Sequence, residues 1–309
     1  MGMNAKIKKE NELDQHDIND IDLVISIGGD STYLKAAGII LNNELPIYGI
    51  NSDPTRRTGA LCNESLIFQE REQQIPVIIE QILAGEYSSF YRNRAWFTIE
   101  NPVTGMQTNK LCLNEVFAAE KDVSCTSMYR VQVDGRDMGK FKSSGLLIGT
   151  GTGSSGWLYS ARQVTNQEVS TIQSIIGTYD NSELVRLNKI FQYLSCIQVN
   201  SNISGLISSN NVFPYDSDKL YYLVREGYVS DPSSYTWRAE GYCSMIKVIS
   251  EIIDGSVQID GYFKYDIGIG DVFTVESCPQ KSLRCIRLNK QYEIKGLPSQ
   301  QQSQQEIQI

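Results

Sequence analysis

A chain of 309 residues, 41% hydrophobic and 21% charged, has the composition of an ordinary soluble globular protein with room for one large core or two medium ones. Its net charge of -8, from 28 basic and 36 acidic residues, argues against a general nucleic-acid or anionic-membrane binder, and no apolar run reaches the ~20 residues of a bilayer span. Seven scattered cysteines without a CxxC pair suggest neither a zinc site nor a disulfide framework, and a single histidine, His16, leaves general-base work to a carboxylate.

The first residues mix Lys with Glu and Asp and lack an apolar core, so no secretory, transit or myristoylation pattern is visible. Asp22 to Ile27 is a short apolar run that stops at two glycines, as a buried parallel strand does. The following STYLKAAGIILNN has helical spacing, with Ser31 or Thr32 as the expected N-cap. Pro46 to Ile50 reads as a second strand, NSDPTRRTG as a loop, and Ile75 to Ala84 as a helix closed by Gly85. Strand, Gly-rich turn, helix and strand form the unit of an open α/β sheet.

After about Tyr91 the pattern becomes β-rich. Strands are expected at Ala95 to Ile99, Glu115 to Ala119, Tyr129 to Val133, Gly145 to Gly149, Lys219 to Val224, Met245 to Ile253, Ser256 to Ile259 and Val272 to Val275. Asp134-Gly135 marks a hairpin turn. The expected organisation is an N-terminal Rossmann-like α/β domain over 1–92 and a β-rich domain over 93–298 with a helical insertion at about 163–195. A Gln-rich disordered tail is expected over 299–309.

Four segments have residues suited to chemistry. In Gly28-Gly29-Asp30-Ser31-Thr32, glycines admit a ligand to a strand end, the helix start offers amides to phosphate, and a carboxylate can hold Mg²⁺ or orient a hydroxyl. In Asn51 to Cys62, Asn51 and Asp53 suit hydroxyls, and Arg56 and Arg57 suit phosphates. Asn114-Glu115 pairs an amide with a carboxylate, which suits adenine and ribose edges. Phe141 to Trp157 is a donor-rich Gly/Ser surface ending in an indole. Each alone is equally an ordinary turn, loop end or linker.

Taken in order, the four resemble the NAD kinase family, most of all its mitochondrial branch. That family carries GGDGT, an Asn-led loop, an Asn-Glu pair and a TPTGSTAY-like segment, matched here by Gly28–Thr32, Asn51–Cys62, Asn114–Glu115 and Thr150–Trp157. A late Asp-Gly also recurs, as Asp260-Gly261. The resemblance implies an α/β domain followed by a β-sandwich-like domain, Mg²⁺-ATP as phosphate donor, and the 2′-hydroxyl of the adenosine ribose of NAD as acceptor. It implies Asp30 as the base, and Gly28, Gly29, Ser31, Thr32, Thr152, Gly153 and Ser154 on the ATP and phosphate side. For NAD it implies Asn51, Asp53, Asn114, Glu115, Ser155 and Trp157; no residue is implied as a dedicated metal ligand. It further implies self-association, with a dimer favoured, and a mitochondrial setting.

The chain departs from the family pattern at three places. Ser31 stands for the third glycine of GGDGT, where a positive φ would strain serine by ~1 kcal/mol. Ser144 stands where many bacterial relatives have Asp, as it does in the mitochondrial branch. Only about twenty residues precede Asp22, where relatives have a further β-α unit. Two other readings share parts of the pattern: a diacylglycerol- or sphingosine-type lipid kinase, and an NAD-binding protein with impaired catalysis.

Overall fold

The computed structural model describes residues 4–56, 59–66, 71–100, 105, 107–179, 204–228 and 239–289. By its internal contacts the chain divides into two compact units, Met1–Thr152 with Pro214–Ile309, and Gly153–Phe213. Part of the expected insertion, from residue 180 onward, and the whole Gln-rich tail lie outside the described residues.

In chain order the first unit opens with a 3₁₀ turn, Glu10–Glu12, and then β1 (Val24–Gly28), α1 (Asp30–Ile39), β2 (Ile47–Asn51), β3 (Glu64–Ser65), α2 (Arg71–Leu83) and β4 (Tyr87–Arg92). β1 and β2 run parallel in register, placing Gly28 beside Asn51. Every residue of β2 is buried, as the unbroken apolar run requires of a strand covered on both faces. The N-cap of α1 is Gly29, with Asp30 as its first helical residue, so the expected Ser31 or Thr32 cap is corrected by two or three positions. Cap assignment favours Ser and Thr, but here the chain enters the helix directly from the glycine turn. Gly85, at φ +71, follows α2 as expected of a C-terminal glycine.

The β-rich part continues with β5 (Ala95–Glu100), β6 (Gln107–Cys112), β7 (Glu115–Glu120), β8 (Ser127–Val133), β9 (Arg136–Ser143) and β10 (Gly145–Gly149). After the second unit's α3 (Trp157–Ala161) and α4 (Asn166–Tyr179) come β11 (Leu220–Arg225), β12 (Glu240–Cys243), β13 (Met245–Ser250), β14 (Gly255–Ile259), β15 (Phe263–Ile267), β16 (Val272–Ser277) and β17 (Leu283–Leu288). Two six-stranded sheets form, β12-β11-β10-β7-β14-β15 and β6-β5-β16-β13-β8-β9. Their buried faces share one core, with Phe97, Val131, Val248 and Phe273 from one sheet meeting Val116, Leu146, Leu220 and Val257 from the other. That is a β-sandwich. Asp134 (φ 48) and Gly135 (φ +80) form the expected tight turn between β8 and β9.

The sequence pattern misses the destination of the last strand. β17 leaves the sandwich and enters the first sheet, parallel to β2 at Cys285 and antiparallel to β4. Strand pairing over such separations has no local signature in the residues themselves.

The second unit has its own small core. Leu158 of α3 is fully buried, Arg162 and Asn211 exchange hydrogen bonds with each other's carbonyl oxygens at 3.3 and 2.9 Å, and Ser204 Oγ donates to Asn166 Oδ1 at 2.6 Å.

Candidate active site

The first motif is built from the turn between β1 and α1. A Cβ on Gly28 would stand 2.5 Å from Thr32 Oγ1, so the threonine side chain fills the space that any other residue would need. Around Gly29 there is nothing within 4 Å of such an atom, and its φ is −95. The fold therefore needs the first glycine, whereas the second leaves open space at a helix N-terminus. Gly28→Ala is expected to lower stability by about 1–3 kcal/mol through overpacking. Gly29→Ala is expected to stay within about 1 kcal/mol of the wild type in thermal unfolding, as read by calorimetry.

Ser31 has no positive φ among the described residues and lies exposed in the first turn of α1. The strain that a left-handed conformation would impose on serine is therefore absent.

Asp30 projects from this helix start onto the loop after β2. Leu61 N donates to its Oδ1 at 2.8 Å and Ala60 N to its Oδ2 at 3.1 Å. The Asn51–Cys62 loop thus contributes backbone amides that fix the aspartate, a role invisible in its side-chain pattern. Asn51 is buried, accepts from Asp53 N through Oδ1 at 3.1 Å, and lies beneath Gly59, where a Cβ would stand 2.6 Å from its Nδ2. Asp53 is exposed and held below the usual carboxylate range, chiefly by the Thr55 hydroxyl and then by the Arg56 charge. Arg57 lies outside the described residues.

Two residues that the sequence pattern did not single out join the turn. Thr32 Oγ1 donates to Glu10 Oε2 at 3.1 Å, and Lys35 Nζ pairs with Glu10 Oε1. The Lys35 hydrogen bond above all holds the Glu10 carboxyl below its ordinary range. Lys35 is three residues beyond Thr32 on a helix, a spacing that puts both on one face and could have flagged it.

The Asn114-Glu115 pair stands at the entry to β7, beside the end of β10. Glu115 pairs with Gly149, and Thr150 N donates to Asn114 O at 2.9 Å. Thr150 Oγ1 also donates to Leu113 O, and Thr152 is buried close by in sequence. Gly151 is obligatory, since a Cβ there would stand 1.9 Å from Pro214 O. Among the described residues, Asn114 Oδ1 is buried and has no hydrogen-bond partner. A buried amide oxygen without a donor is costly, and a ligand amine or hydroxyl would satisfy it.

Burial, with the Asp260 charge second, pushes the Glu115 carboxyl up to about 8. Because this value is raised, the associated stability is fully present below the unfolded value of about 4.5 and is lost as pH rises through about 8. The thermal midpoint is therefore expected to fall between about pH 4.5 and 8 and to level off above. In Glu115→Gln that fall is expected to be shallower, as read by calorimetry across the same range.

The two halves meet in one core. Leu61, whose amide holds Asp30, and Leu113, next to Asn114, pack together with Tyr33, Leu34 and Ala37 of α1. The structure therefore brings together Gly28, Gly29, Asp30, Ser31 and Thr32 with the Asn51–Cys62 loop, and Asn114 and Glu115 with Thr150. Gly153 and Ser154 are buried in the second unit, where Ser154 Oγ exchanges hydrogen bonds with the Phe213 backbone at 3.1 and 3.3 Å. Ser155 and Trp157 are exposed on that unit.

Residues 2–87 match the family described as ATP-NAD kinase N-terminal domain. The human protein named NAD kinase 2, mitochondrial, is 25% identical over 324 residues, covering 94% of this chain and 70% of its own length. Its N-terminal part thus carries the NAD kinase domain, and the chain is similar to a named NAD kinase over nearly its whole length. Solved structures that share its fold include two nucleotide complexes. One is a yeast NADH kinase complexed with NADH, with TM-score 0.61 and 13% identity, covering 89% of this chain, which in turn spans 64% of the yeast chain. The other is an NAD kinase from Archaeoglobus fulgidus in complex with ATP, with TM-score 0.54 and 18% identity, covering 87% of this chain and 78% of its own. The α/β sheet and the β-sandwich expected from the sequence are both the family's. Nothing in these comparisons favours a lipid kinase.

Proposed function

We propose that this chain is an NAD kinase that transfers the γ-phosphoryl group of ATP to the 2′-hydroxyl of the adenosine ribose of NAD, giving NADP and ADP. The observation that carries the residue assignment is the Asp30 carboxylate, pinned by the amides of Ala60 and Leu61 at the mouth of an open glycine turn. Each carboxylate oxygen keeps a lone pair for a substrate hydroxyl. Asp30 accepts the ribose proton as the hydroxyl oxygen attacks phosphorus, and ADP leaves with the electrons of the broken P–O bond.

In this reading Gly28, Gly29, Ser31 and Thr32 line the phosphates, supported by the free space at Gly29 and the amides of the α1 N-terminus. Asn51 and Asp53 shape the acceptor side, and Asn114 and Glu115 bind the adenosine of NAD, the Asn114 oxygen receiving a donor from it. Below about pH 8 Glu115 carries a proton and serves a ribose hydroxyl as donor and acceptor alike. Thr152, Gly153 and Ser154 are assigned to ATP, and Ser155 and Trp157 to NAD.

Among the described residues, no three His, Cys, Asp or Glu side chains cluster so as to cage a metal ion. Asp30 is the carboxylate that the turn would offer to Mg²⁺ carried by the nucleotide's own phosphates, and the ion would neutralise phosphate charge there. The proposal includes self-association as a dimer and residence in mitochondria, the latter supported by the name of the human relative.

The test is acceptor competition. With Mg²⁺-ATP, NAD and NADH are offered in a coupled NADP(H) assay, and diacylglycerol and sphingosine in a parallel lipid-phosphate assay. Turnover on the dinucleotide is expected. Turnover on a lipid alone overturns the reading, and NAD binding without product leaves the impaired protein as the answer.

A further inference from the structure

We infer that Asp260 is a positioning residue for the Asn114-Glu115 pair, holding it from beneath through the backbone; this rests on the reading of that pair as the NAD-binding element. Asp260 closes the turn between β14 and β15. It is buried and in the left-handed region at φ 52, followed by Gly261 at φ +72, and Tyr262 N donates to Ile259 O at 3.2 Å. Left-handed conformation at a buried non-glycine residue is a cost that surrounding structure must impose, and Asp tolerates it better than most.

The carboxylate is directed at three successive amides of the acceptor segment. Leu113 N donates to Oδ2 at 2.8 Å, and Asn114 N and Glu115 N donate to Oδ1 at 2.7 and 3.2 Å. Cys112 Sγ donates to the same Oδ1 at 3.2 Å, and Asp260 N in turn donates to Glu115 O at 2.9 Å. One buried side chain thus fixes every backbone amide of the loop that presents Asn114 and Glu115. A hairpin turn alone does not require this, because its own closing bond is made by Tyr262 and Ile259.

The same turn also reaches the other half of the site. Tyr262 Oη donates to Leu34 O in α1 at 2.9 Å, and Gly38 leaves the space, since a Cβ there would lie 1.9 Å from that hydroxyl. The Asp260–Tyr262 turn therefore touches both the helix that carries Asp30 and the loop that carries the acceptor pair. Burial works to raise the Asp260 carboxyl, and the amides of Leu113 and Asn114 oppose that.

The test compares wild type, Asp260→Asn, Asn114→Ala and the double variant in steady-state kinetics with NAD and ATP varied separately. Wild-type turnover on NAD comes first; its failure removes the reading on which this inference rests, independently of Asp260. Asp260→Asn is expected to raise KM for NAD by about 10- to 100-fold with KM for ATP within about threefold. In the Asn114→Ala background the same change is expected to add much less, since it acts through the displaced pair. Gly261→Ala, which meets nothing within 4 Å and only strains the turn, is expected to show the same split at smaller size and decides the matter if Asp260→Asn does not fold. A fall in thermal midpoint with both KM values unchanged, or additive effects in the double variant, would overturn the inference.

Discussion

Asp30→Asn is expected to lower kcat by about 100- to 10,000-fold, the range that removal of a positioned general base produces. The geometry makes the substitution informative because the carboxylate is held at both oxygens, by Leu61 N at 2.8 Å and Ala60 N at 3.1 Å. An asparagine can accept from one of those amides but turns its NH₂ toward the other. Losing one charge-assisted bond at a half-buried site costs about 1–3 kcal/mol, so a modest drop in the unfolding midpoint accompanies the kinetic loss. The two effects separate by temperature: a stability defect recovers on cooling, whereas the missing base does not. Asp30→Glu keeps the charge but displaces the oxygens by a methylene and is expected to recover little activity.

Arg94→Leu carries the largest expected effect on stability. The guanidinium is 2% exposed, and it donates to the carbonyl oxygens of Lys281 at 2.5 Å, Ile40 at 2.6 Å and Asn42 at 3.2 Å. Burial pulls its pKa down to about 10, so at neutral pH it remains a cation. Ile40 is the C-cap of α1, where unpaired carbonyls and the helix dipole favour a positive charge. Leucine fills part of the volume and removes the donors to one buried and two part-buried carbonyls, which costs about 3–5 kcal/mol. The thermal midpoint is expected to fall by about 10 °C, as read by circular dichroism. Arg94→Lys should lie between, since an ammonium cannot match the planar fork. Because Asp30 opens the helix that Arg94 closes, a loosened C-terminus also lowers turnover in whatever fraction stays folded.

Much of the architecture was legible locally. The apolar run ending at Gly28-Gly29 and the all-buried β2 announced a parallel pair, and alternation in segments such as Met245 to Ser250 announced a sandwich strand. Asp134-Gly135 announced its own turn, since few pairs tolerate two successive left-handed residues. What escaped was non-local. β17 returns to the first sheet, and no property of LRCIRL distinguishes that sheet from the sandwich. The N-cap shifted to Gly29 because the helix starts on Asp30 itself, although Ser31 and Thr32 are better capping residues in isolation.

The site divides the same way. Gly28, Asp30, Asn114 and Glu115 were visible as a motif order. Sequence alone could not show that the loop after β2 would hold Asp30 with the amides of Ala60 and Leu61 and not with its arginines. Nor could it show that Glu10 would take the Thr32 hydroxyl and Lys35, or that Asp260 would stand beneath Asn114. Backbone amides carry no residue identity, and contacts across about 145 positions leave no spacing to read.

The central claim is that Asp30 directs phosphoryl transfer from ATP onto the ribose of NAD. The most direct measurement follows label from γ-³²P-ATP, with Mg²⁺ and NAD present, into separated dinucleotides for wild type and Asp30→Asn side by side. Label in the 2′-phosphate of NADP with the wild type, and its near-total loss in Asp30→Asn at equal folded concentration, is the expected result. Labelled NADP formed equally well by Asp30→Asn, or a folded wild-type protein that transfers no label to NAD, would contradict it.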